Sequence, residues 1–190
     1  MDERDIADLA ALHVSCLSDS VVAALGARYV RSFYRYVTRS DREISFVERN
    51  VAGRIVAAAV ISLDPATLNR RLLFHTSLLL NLIVHPSHSL ALVLARGGQS
   101  AHAALPEMIL IYTSANERGH GRGSALIEQA ERRLRQLNVP EYQVKTVADS
   151  SNPALAFYRN RNFTPSGMSF TLGRQFQVFT RRLDTERHVS

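Results

Sequence analysis

The spacing of apolar positions changes along this chain from helical to alternating and back. Ile6, Leu9, Ala10, His13 and Leu17 recur at helical spacing. Residues 5–17 are therefore expected to form a helix, with Asp5 as its cap. A second helix is expected from Asp19 or Ser20 to Val37, with Val22, Leu25, Tyr29, Phe33 and Tyr36 as its stripe and a bend at Gly26. Residues 43–49 and 54–63 read as strands, joined into a hairpin by the turn at 50–53. Asp64 and Pro65 signal a helix start, and Leu68, Leu72, Leu73, Thr76, Leu79, Leu80 and Ile83 follow at helical spacing. His85 and Pro86 break that run and start another helix, which ends near Gly97 and Gly98.

Strand grammar returns at residues 108–113, followed by a loop at 114–122. Residues 123–137 form a helical pattern with Leu126, Ile127, Ala130, Leu134 and Leu137 on one face. Then come a strand at 142–148, a short helix from Asn152 to about Arg161, and a hairpin of 166–172 with 175–183 around Gly173. This order predicts one α/β (α+β) domain over residues 1–190. Its sheet is mixed and mostly antiparallel, flanked by helices, and it carries an inserted helical segment at 64–105.

Composition narrows the picture. The 190 residues are 46% hydrophobic and 21% charged, within the range of folded globular chains. The formal charge of +6 favours a polyanionic partner, and a phosphate-bearing cofactor and nucleic acid both qualify. Arginine supplies most of that charge, and Lys145 is the single lysine. Cys16 is the single cysteine, so an intrachain disulfide is excluded and no cysteine-based metal site is expected. The start, Met1-Asp2-Glu3-Arg4-Asp5, is too charged for a signal peptide, and no apolar run reaches membrane-spanning length. A cytoplasmic protein without stable membrane insertion is expected.

The most informative stretch is Arg118-Gly119-His120-Gly121-Arg122-Gly123-Ser124, between an expected strand and an expected helix. Glycines let backbone amides approach an oxyanion with no Cβ in the way. A helix N-terminus adds unpaired N–H groups and the positive end of a dipole. Arg118 and Arg122 add countercharge and planar donors. Together they describe a phosphate or pyrophosphate cradle. A Walker A loop would need a lysine here, and the dinucleotide fingerprint needs a different glycine spacing.

These residues resemble the acetyl-CoA signature of the GNAT superfamily, Gln/Arg-x-x-Gly-x-Gly/Ala, matched by Arg118, Gly121 and Gly123. Downstream, residues 152–163 resemble the family's Asn-led segment ending Phe-Tyr-x-x-x-Gly-Phe, through Asn152, Phe157, Tyr158 and Phe163. Asn162 replaces the usual glycine, and asparagine tolerates the left-handed conformation better than most residues. The resemblance implies a GNAT-like fold and an N-acyltransferase using acetyl-CoA as co-substrate, without metal, on a primary amine. It implies that the strand before the loop splays from its neighbour, so that the backbones of Ile111, Tyr112 and Thr113 pair with pantetheine. It implies cofactor contacts from Arg118, Gly119, His120, Gly121, Arg122, Gly123, Ser124, Asn152 and Tyr158. It also implies Tyr158 as the acid that protonates the leaving thiolate, and Glu107 as the base. Each residue has a plainer reading: Tyr158 as a packed ring, Asn152 as a helix cap, Glu107 as a strand-end carboxylate.

The inserted segment reads as added core, a wall of the acceptor pocket, a homodimer surface or a membrane-surface helix. Its resemblance to insertions in GNAT proteins of polysaccharide assembly makes an amino sugar one acceptor to test. Two other functions compete: a non-catalytic CoA-binding module, and a basic nucleic-acid-binding protein. The latter needs basic residues interleaved with aromatics, whereas Arg132, Arg133 and Arg135 cluster on the polar side of an amphipathic helix, so nucleic acid is not expected.

Overall fold

A computed structural model describes residues 1–18, 20, 23, 26–74, 105–171 and 173–184. In chain order the elements are helix α1 (Glu3–Cys16), helix α2 (Ala27–Arg39), strands β1 (Glu43–Arg49) and β2 (Ile55–Ser62), and helix α3 (Pro65–Phe74). Strand β3 (Glu107–Thr113), helix α4 (Arg122–Gln136), strand β4 (Glu141–Val147), helix α5 (Pro153–Arg159), and strands β5 (Thr164–Thr171) and β6 (Arg174–Arg182) follow. The six strands form one sheet in the order β1-β2-β3-β4-β6-β5. Every neighbouring pair is antiparallel except β3 with β4.

Side-chain alternation assigns each face of the sheet its cover. On β2, Ala58 and Val60 pack with Leu9 of α1 and Val30 and Phe33 of α2. Ala57, Ala59 and Ile61 turn the other way, toward α4. With both faces covered, β2 is buried along its whole length, so its run of valine, isoleucine and alanine lacks a polar side. Helix α4 presents Leu126, Ile127, Ala130 and Leu134, as its periodicity predicts.

The start of the first helix differs from the sequence expectation. Asp2, not Asp5, caps α1, its carboxylate accepting from the Asp5 amide at 2.8 Å. Asp5 is instead ion-paired with Arg49 at 2.7 Å. The chain breaks at Gly26 as expected: with φ +88° the glycine is the N-cap of α2, and ahead of it Ser20 Oγ accepts from the Ala23 amide at 3.1 Å, as a capping serine does, while Val22 and Leu25 lie outside the described residues. Beyond α3, the expected continuation to Ile83 and the second inserted helix lie outside the described residues.

Helix α3 is clasped to the sheet. The Glu43 carboxylate is fully buried and paired with Arg71 of α3, and it accepts from the Ser62 hydroxyl at 3.0 Å. Arg71 also reaches Asp64 at 3.1 Å and the Tyr36 hydroxyl at 3.0 Å.

Candidate active site

The site begins with a break in the sheet. Strand β3 pairs with β4 at Glu107 with Gln143 and Met108 with Val144, and the parallel pairing stops there. On its other side β3 stays paired with β2 as far as Thr113, and β4 stays paired with β6 as far as Val147. Residues 109–113 therefore face a widening split whose far wall is β4. A bulge marks where the split opens: Val60 opposes Leu110 and Ile61 opposes Met108, so Ile109 is the extra residue. A bulge bends its strand and shifts the phase of its side chains. Met108 and Ile111 accordingly pack toward α4, while Leu110 and Tyr112 pack toward α1 and α2.

At the open end of the split lies the glycine loop. Gly119 and Gly121 have φ +79° and +77°, and a Cβ built on either meets nothing within 4 Å. Their conformation, not crowding, demands glycine. Gly121 is the N-cap of α4, and the first helical amide to find a backbone partner is that of Ala125, on the Gly121 carbonyl at 3.0 Å. The preceding amides are the ordinary orphans of a helix start. Open left-handed glycines before a helix N-terminus form a cradle of the kind that binds phosphate groups.

The arginines around this cradle divide in role. Arg118 is exposed and donates to the Thr113 carbonyl at 3.3 Å. Arg122 is ion-paired with Glu117 at 3.2 Å and with Glu48 at 3.4 Å, which ties the start of α4 to β1. His120 is exposed. Sequence reasoning overlooked Arg161, whose guanidinium bonds the Ser124 hydroxyl and lies 5.4 Å above the Phe157 ring. Its place in the second motif gives no hint that the motif folds back onto the first.

Asn152 and Tyr158 lie on α5. Asn152 caps the helix by accepting from the Ala154 amide at 3.1 Å, and its own amide donates to the Val147 carbonyl at 2.8 Å and to Thr146 Oγ1 at 2.9 Å. It locks α5 to the end of β4. Tyr158 is 3% exposed among Phe157, Phe163 and Phe179, and burial pushes its phenol pKa well up. Asn162 has φ +58°, so it takes up the left-handed turn in place of glycine.

Glu107 stands at the closed end of the split. Its carboxylate accepts from Gln143 Nε2 at 2.9 Å and pairs with Lys145 Nζ at 2.8 Å. Met108, Val144 and Tyr158 belong to the cluster beneath α4, so Glu107, Gln143 and Lys145 occupy the opposite face. The register extends this face into a polar row of Glu43, Ser62, Glu107, Gln143, Thr180 and Thr164. Within it Gln143 is fully buried, and its Oε1 has no hydrogen-bond partner.

Behind Tyr112 runs a buried polar chain. The Tyr112 and Tyr34 hydroxyls are 2.6 Å apart, Tyr34 is 2.9 Å from His13 Nδ1, and His13 Nε2 is 3.1 Å from Ser20 Oγ. Burial lowers His13 to about 4. Elsewhere, a groove of about 460 Å³ along α5, lined by Ser151, Asn152, Leu155, Arg159, Met168 and Gln177, includes no residue of the glycine loop. No group of three potential metal ligands occurs among the described residues, and none of their helices is long and apolar enough to cross a membrane.

Comparison with known proteins agrees with this architecture. Residues 93–163 match the model of the Acetyltransferase (GNAT) family. A ribosomal-protein-alanine N-acetyltransferase from Brucella melitensis superposes with a TM-score of 0.63 at 14% identity, over 96% of this chain and 97% of that one. The ribosomal-protein-S18-alanine N-acetyltransferase from Escherichia coli gives 0.60 at 12% identity, over 100% and 95%. Nourseothricin acetyltransferase gives 0.51 at 17% identity, over 76% and 67%. At these identities the likeness is one of fold. No curated protein matches at a significant level.

Proposed function

We propose that this GNAT-superfamily chain is an acyl-CoA-dependent N-acyltransferase, most simply one that moves acetyl from acetyl-CoA to a primary amine. The observation that carries the reading is the split: β3 leaves β4 directly after Met108 and Val144, and the left-handed glycines lie at its open end. In this reading the amides of Gly119, His120, Gly121, Arg122, Gly123 and Ser124 hold the pyrophosphate. Arg118 and Arg161 supply charge, and the backbones of Ile111, Tyr112 and Thr113 pair with the pantetheine amides. Bound acetyl-CoA supplies the activated thioester carbonyl.

The two proton-handling candidates flank the split from opposite faces. The acceptor amine approaches from the side of Glu107, which accepts its proton directly or through water. Tyr158, on the α4 side, gives its proton to the departing thiolate. The phenol is protonated across the neutral range, as an acid requires, and its burial means that negative charge developing on the thiolate must draw the proton out. The acceptor is a small amine or a protein amine, and an amino sugar is one member to include. Release of free thiol from acetyl-CoA across amino sugars, polyamines, amino acids and peptides tests the reading. Turnover with any amine supports it. Saturable CoA binding without thiol release from any amine leaves a CoA-binding module instead.

A further inference from the structure

We propose that Lys145 is a self-acetylation site, modified by the chain's own bound acetyl-CoA when no acceptor is present. The inference rests on the acyl-CoA reading above and adds a covalent modification to it. Three observations carry it. First, the register places Lys145 at the opening of the split. Val144 is the last β4 residue paired with β3, its partner is Met108, and the next residues across the gap are Lys145 and the bulged Ile109. Second, Lys145 Nζ reaches from β4 to Glu107 of β3 at 2.8 Å, at the closed end of the split, and its side chain retains 24% exposure. Third, this is the only lysine in a chain whose other strong cations are arginines. Arginine stays protonated and is a poor nucleophile, whereas lysine can be both deprotonated and acylated.

The step balances with the groups present. The Lys145 ammonium passes a proton to the Glu107 carboxylate, and the neutral Nζ attacks the thioester carbonyl. The carbon–nitrogen bond forms, the carbon–sulfur bond breaks, the attacking nitrogen gives its second proton to the departing CoA thiolate, and Glu107 releases the first to solvent. An amine held beside the thioester needs no diffusional encounter, which favours this transfer over random acylation. The product is a neutral amide, so Glu107 loses its ionic partner and keeps the Gln143 amide. The acetyl group then stands where an incoming amine would approach, so a loaded enzyme starved of acceptor blocks itself.

Intact-mass spectrometry tests this on the full chain incubated with acetyl-CoA and no acceptor, with peptide mapping and a parallel thermal shift with CoA. The expected result is a single added acetyl group, saturating with acetyl-CoA and mapped to Lys145. It should be absent from Lys145→Arg, which keeps the ion pair and the fold, and strongly reduced in Gly121→Glu, whose cradle is blocked. Stabilisation by CoA without acetylation of Lys145 overturns this proposal and leaves the acyl-CoA reading standing. Acetylation at the N-terminal amine alone, or at Lys145 equally fast in heat-unfolded chain or Gly121→Glu, also overturns it, because it is then solution chemistry. No stabilisation by CoA removes the acyl-CoA reading, and this proposal falls with it.

Discussion

Gly123 lies against Phe157: a Cβ built on the glycine would stand 3.3 Å from the ring's Cζ. The contact joins the two sequence motifs in space, with the first turn of α4 on the ring of α5. It gives Gly123 a different reason from Gly119 and Gly121, which need their glycines for backbone conformation alone.

That difference yields the first prediction. Gly123→Ala should be close to neutral, because a helical alanine gains up to about 1 kcal/mol over glycine and the ring needs to yield only slightly. Gly123→Leu has no such relief and should cost about 1–3 kcal/mol by overpacking. Chemical denaturation of the two variants measures this. An equal and large loss in both would show that the site requires glycine for something other than the ring contact.

Tyr158→Phe keeps the packed ring among Phe157, Phe163 and Phe179 and removes only the hydroxyl. Turnover should fall by about a hundredfold or more, while CoA affinity changes little. Steady-state kinetics with the best acceptor, paired with CoA titration, separates the two. Unchanged turnover, with chemistry shown to limit the rate, would reduce Tyr158 to packing.

His13 sets an acid limit on stability. It is fully buried, and its folded pKa of about 4 lies below the ordinary value of 6.5. The unfolded chain therefore binds this proton first as pH falls. The contribution of His13 is complete above about pH 6.5 and is lost on acidification toward pH 4, on the order of 3 kcal/mol in all. Denaturation at pH 7.5 and pH 4.5 should show this loss in the wild type and a smaller one in His13→Gln. A parallel loss in both would assign the acid sensitivity to other groups.

Arg71→Ala strands the Glu43 carboxylate, which is fully buried and would keep only its hydroxyl donors. Breaking a buried pair on one side costs about 3–5 kcal/mol, so melting should shift steeply. Adding Glu43→Gln to Arg71→Ala should recover part of that loss, and failure to recover any would show that Arg71 acts mainly through Asp64 and Tyr36.

Much of this was legible in the sequence. Every described strand was expected within about two residues, because alternation and turn residues bound each one. The glycine loop and the Asn152 cap were expected from residue chemistry that acts over a few positions. The left-handed turn at Asn162 was anticipated for the same reason. What escaped depends on distant partners. The Ile109 bulge arises from how β3 meets β2, and the meeting of Arg161 with Ser124 depends on how α5 packs on α4. The break at Gly26 was legible from the residue itself, and its positive φ makes it the N-cap at which α2 starts.

In the proposed complex an acyl-CoA lies in the split between β3 and β4, with its pyrophosphate on the glycine loop. Backbone amide chemical-shift mapping during titration with CoA tests that placement most directly. Saturable shifts should concentrate at residues 119–124 and 109–113 and be abolished in Gly121→Glu while the rest of its spectrum stays folded. Saturable shifts confined to the groove along α5, or no shifts at millimolar CoA, would contradict it.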